Sequence, residues 1–83
     1  MILLLLAQAA AAPPTPLPAD PALAARYEAC LDLATDAPVQ AVDRATAWQA
    51  EGGRFFARQC RGIAYAQLER WTAAANDFIG AGP

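Results

Sequence analysis

Pro13, Pro14, Pro16 and Pro18 stand within one short stretch, and no regular helix or central strand continues through such a cluster. The chain is therefore read in two pieces, an apolar beginning and a longer remainder. Met1 is followed by Ile2, Leu3, Leu4, Leu5 and Leu6, then by Ala7-Gln8-Ala9 and more Ala up to Ala12. An apolar run ending in a small-x-small tripeptide predicts a secretory signal peptide over residues 1–9, cut after Ala9. The run is too short to span a bilayer. The alternative is an N-terminal core helix, which the prolines would sever from everything after it. Residues 10–19 are expected to form an Ala/Pro-rich extended linker. Export implies a periplasmic or secreted bacterial protein, with no membrane contact once the leader is removed.

From Asp20 the chain carries helix punctuation. Asp20-Pro21 pairs an N-cap acceptor with proline at the first helical position, and Asp36 with Pro38 is read as a second start. Gly52-Gly53 predicts a stop. Leu23, Tyr27, Cys30, Leu31 and Ala34 recur at helical spacing, as do Val39, Val42, Ala45 and Trp48 in the next segment. A third helix is expected from about Arg54 to Leu68, with Phe56, Cys60, Ile63, Ala64 and Leu68 available to pack. A fourth begins near Trp71-Thr72, carries Ala74, Ala75, Phe78 and Ile79, and stops at Gly80, Gly82 and Pro83. Nothing alternates with period two for long enough to make a strand. The expected fold class is all-α, two antiparallel helical hairpins over residues 20–83.

Within the second hairpin Gly62, Tyr65, Leu68, Trp71, Ala74, Phe78 and Ala81 fall at offsets that resemble a tetratricopeptide repeat, a helix–turn–helix unit of about 34 residues. The resemblance implies that Gly62 admits the second helix, that Tyr65 and Leu68 fill the space between helices, and that Trp71 packs at the turn. It implies further that Ala74 sits at the closest crossing and that Phe78 reaches a following unit. Arg61 stands where that family has a large apolar residue, and Glu69 where it has a turn glycine. The first hairpin resembles a repeat only through Ala41 and its general layout. By the same resemblance the concave surface takes the first helix of each unit, which makes Phe56, Gln59, Ile63, Ala66 and Gln67 the candidate partner contacts. A generic Ala-rich hairpin is the bland alternative.

Composition removes much chemistry. The chain has no His, no Ser and no Lys; all six basic residues are Arg, and the net charge is −2. A Ser–His–Asp triad and any His-bearing zinc site are thereby excluded. The acidic balance argues against nucleic acid as partner, because phosphate binding draws on released counterions. The carboxylates Asp32, Asp36, Asp43, Glu51, Glu69 and Asp77 do not cluster with metal-ligand spacing, and most read as caps or solvated positions. Arg54, Arg58 and Arg61 form a basic stripe, read first as a solvated face and second as a dock for an acidic peptide. No metal and no cofactor is expected.

Cys30 and Cys60 are the residues with special chemistry. In an oxidising compartment they favour a structural disulfide between the first and third helices; two buried free thiols are the alternative. A reactive thiol would lack a His to activate it. The expected function is thus a non-catalytic protein- or peptide-binding module. A thiol/disulfide redox protein using Cys30 and Cys60, or a structural helical dimerisation unit, are the rivals. Because large side chains are few and repeat hairpins do not bury both faces alone, Trp71, Phe78 and Ile79 are expected to form an uncovered edge. The repeat domain is therefore expected to be incomplete or to self-associate through its fourth helix.

Overall fold

The computed structural model describes residues 17–81; the expected leader, most of the expected linker and the last two residues lie outside them. Four helices follow one another: α1 Pro21–Asp36, α2 Pro38–Ala50, α3 Arg54–Gln67 and α4 Trp71–Ala81. Among the described residues there is no strand, so the chain is all-α. α3 begins as far after α1 as α4 begins after α2.

Local chemistry sets these boundaries. Asp20 Oδ1 accepts from the Ala22 N–H at 2.8 Å and Pro21 occupies the first turn, which fixes the start of α1. Asp36 does not cap α2 as expected. It is the last residue of α1, and Ala37 alone makes the reversal (φ −148°, ψ 72°). Pro38 is the cause, since its ring drives the preceding residue out of the helical region while its own φ suits a helix start.

The ends of α2 and α3 share one device. Gly53 N–H donates to Trp48 C=O at 2.9 Å and Gly52 N–H to Gln49 C=O at 3.1 Å. Arg70 N–H likewise donates to Tyr65 C=O and Glu69 N–H to Ala66 C=O, both at 2.9 Å. This double closure needs a left-handed residue just past the helix. Gly52 supplies it at φ 97°, whereas at the second turn Glu69 is held at φ 58°. Its Cβ meets the carbonyl crowding that glycine escapes.

The core is built largely from small side chains. Ala34, Ala41, Ala45, Ala57, Ala64, Tyr27 and Cys60 are fully buried, with Trp48 and Cys30 nearly so; Leu31, Leu33, Val42, Phe56 and Ile63 pack against them. Two residues expected inside lie outside. Leu23 is 43% exposed and Val39 63% exposed. Close helix approach selects Ala41 and Ala45 over the larger Val39, because only small residues let two backbones come together. α3 touches each of the other helices, whereas α4 rests on α3 alone.

Cys30 and Cys60 are joined in a disulfide, Cα–Cα 6.2 Å, which ties α1 to α3 across the core.

Candidate functional site

The five residues proposed as partner contacts lie along α3 three or four apart, with Ala66 and Gln67 adjacent at its end, on one side of a helix whose other faces are packed. The structure brings them together on that element but does not leave them equally free. Phe56 is half-buried, its ring meeting Tyr27 edge-on at 5.0 Å, with Phe55 edge-on to Phe56 at the same separation. Ile63 packs partly on the core. Gln59 and Ala66 are half-buried, and Gln67 is exposed. The stripe offers two amides, Gln59 and Gln67, among partly covered apolar groups.

The repeat-motif residues occupy the second hairpin. Gly62 is buried, and a Cβ there would stand 2.5 Å from Cε1 of Phe78, so glycine is what lets the Phe78 ring lie on α3. Tyr65 and Leu68 are half-buried, and Ala74 and Ala81 are buried. Trp71, expected to pack at the turn, is 64% exposed. Phe78 is 39% and Ile79 77% exposed, so the apolar edge expected on the fourth helix is present.

Asp77 is the exception among carboxylates of which most read as caps or solvated positions: it is 4% exposed. Arg61 Nε and Nη2 donate to its two oxygens at 2.8 Å each, and Arg58 Nη1 lies 3.8 Å away. Arg61 Nη1 also donates to Thr46 Oγ1 of α2 at 3.1 Å. Hydrogen bonding to Asp77 raises the Arg61 pKa, against the opposing effect of burial. Two of the three arginines read as a solvated basic stripe are therefore committed to one carboxylate. Arg61 occupies a position where the resemblance expects an apolar residue, and Asp77 falls at helical spacing between Ala74 and Ala81. That coincidence was the available signal.

A second cluster sits between α1 and α2. Arg26 lies 5.0 Å over the Trp48 ring and donates to Glu51 Oε1 at 2.8 Å, beside a cleft of about 110 Å³ lined by Ala29, Cys30, Leu33 and Arg44 as well. The Arg26–Glu51 pair is half-exposed and contributes little to stability. Tyr27 Oη and Gln49 Oε1 are buried without a hydrogen-bond partner among the described residues. Burial raises the Tyr27 pKa. Among the described residues no group of three or more His, Cys, Asp or Glu could hold a metal ion, and no helix is long and apolar enough to cross a membrane.

No family model matches the chain, and neither the curated proteins nor the solved structures yield a match.

Proposed function

We propose that this chain is a non-catalytic binding module, a tetratricopeptide-like pair of hairpins that holds an extended segment of another protein along α3. The observation that carries the reading is the half-open stripe Phe56, Gln59, Ile63, Ala66 and Gln67 on the helix that every other helix supports. Two features favour the repeat-like layout. The helix starts recur at one interval, Pro21 to Arg54 and Pro38 to Trp71, within about one residue of the family's unit. Glu69, at the family's glycine position, has a left-handed φ. Fold analogy supplies the class of function and no specificity.

Panning the full chain against a display library of random peptides, then mapping a selected peptide by amide chemical shifts, tests this reading. The expected shifts centre on the α3 stripe, and Gln59→Ala with Gln67→Ala weaken binding at least tenfold. Failure to select any peptide, or shifts elsewhere, contradicts it.

The rival redox reading requires an incoming thiolate to reach a disulfide sulfur. Cys60 is fully buried and Cys30 is 7% exposed, which favours the binding reading; a thiol titration under mild reductant separates the two. Export belongs to the same proposal, and intact-mass analysis from a secreting host that finds Met1 retained would remove it.

A further inference from the structure

The equal spacing of the two hairpins gives residues 38–48 of α2 equivalents in α4, and residues 21–34 of α1 equivalents in α3. Ala41 and Trp48 correspond to Ala74 and Ala81, and all four are buried. Ala45 and Thr46 correspond to Phe78 and Ile79, and here the hairpins part. Ala45 lies in the core that α3 completes, and Thr46 accepts from Arg61 of α3. Phe78 and Ile79, with Trp71 on the same helix, are exposed. Among the described residues, the seat that α3 fills on the first hairpin thus stands open on the second.

At the opposite end, Phe56 and Ala57 of α3 pack into the core, and their equivalents on α1 are Leu23 and Ala24. Leu23 is 43% exposed. Among the described residues the molecule therefore carries an open seat at one end and, at the other, a helix that presents exposed Leu23 where α3 presents Phe56. The disulfide fixes α1 to α3, so the two ends belong to one unit.

We propose that a second copy of the chain covers this edge head to tail: α1 of one copy docks on α3 and α4 of the next, as α3 docks on α1 and α2 within the chain. Charge agrees with this pairing. Two chain reversals make α1 parallel to α3, so stacking brings the C-terminal half of α1 beside the end of α3. There α1 carries exposed Asp32 and Asp36, and α3 is followed by exposed Glu69 and Arg70; among the described residues none of the four has an oppositely charged partner within 4.0 Å, and Arg70 is the cation that Asp32 and Asp36 meet in the stack. The contact is heterologous, since the two surfaces differ, and it need not close. On α3 the seat includes Ile63 and Gln67, the equivalents of Cys30 and Ala34, so a second copy and a peptide compete for part of the stripe, but the proposal does not rest on the peptide-binding reading.

Two exposed substitutions test it on the full, oxidised chain by sedimentation velocity, with circular dichroism to verify folding. The unsubstituted chain should grow in mean mass with concentration. Leu23→Glu blocks the docking helix and Ile79→Glu blocks the seat, so each variant alone should be monomeric. A one-to-one mixture should form a dimer and nothing larger, because one free helix meets one free seat. A mixture that stays monomeric overturns the proposal. So does a dimer of Leu23→Glu alone, which would mean α4 pairing with α4. Association that neither substitution reduces overturns it too, since it would arise outside both surfaces.

Discussion

The α1–α3 unit and the α4 edge are built by different means from a similar stock of small residues. In the first, α1, α2 and α3 surround Tyr27, Trp48 and five fully buried alanines, and the disulfide closes the group covalently. In the second, α4 lies on α3 alone and buries only Ala74, Asp77 and Ala81, with Phe78 laid over Gly62. Apolar contact so limited does not fix a helix by itself, and an ion pair with two hydrogen bonds supplies orientation. A chain this poor in large side chains thus stays folded through point attachments, a covalent one for α1 and an ionic one for α4.

Breaking the covalent attachment should have the largest effect. Replacing both Cys30 and Cys60 by Ala frees a 30-residue separation, and the chain-entropy model assigns such a crosslink about 3–4 kcal/mol. Thermal melts should show one large loss spread over every helix. An unchanged melting temperature would mean that the core stands without it.

Removing the ionic attachment should affect one helix. Asp77→Ala leaves Arg61, whose side chain is 18% exposed, without its bidentate partner. The pair is partly solvated, so the expected cost is about 2 kcal/mol, below the range for fully buried pairs. Helicity should fall by the share of α4 while the near-ultraviolet signal of Tyr27 and Trp48 persists. Loss of both together would merge the two regions into one.

The sequence disclosed these regions unequally. Asp20-Pro21 and Gly52 marked their boundaries because caps and left-handed turns are local events, written in adjacent residues. The Cys30–Cys60 pair was legible because both cysteines fall on the apolar stripes of their helices. Asp77 and Arg61 were misread because hydropathy counts a charge as solvated until a partner sixteen residues away is known. Leu23 and Val39 were placed inside because they recur at helical spacing with the core residues, whereas close packing took Ala41 and left both exposed. Of the candidate site, the α3 stripe came from the family resemblance, but the seating of Phe56 against Tyr27 depends on the position of α1.

Two smaller changes should stabilise, one in each region. Tyr27→Phe removes a buried hydroxyl without a partner among the described residues and should add about 1 kcal/mol. Because burial raises the Tyr27 pKa above its usual value of 10.0, the folded state favours the neutral phenol. That contribution is fully present below pH 10 and is lost as pH rises beyond it, so the variant should flatten the alkaline fall in stability. At the α3–α4 turn, Glu69→Gly relieves a left-handed φ of 58°. Greater freedom of the unfolded chain offsets part of the gain, leaving about 0.5 kcal/mol, measured by urea denaturation.

Native-state hydrogen exchange on the oxidised chain, followed amide by amide at low protein concentration, tests the contrast most directly. The amides of Ala75 to Ala81 should exchange through an opening of α4 that leaves α1, α2 and α3 closed, and Asp77→Ala should accelerate that opening alone. Exchange of α4 and α3 amides with one shared free energy, shifted equally by Asp77→Ala, would contradict the account.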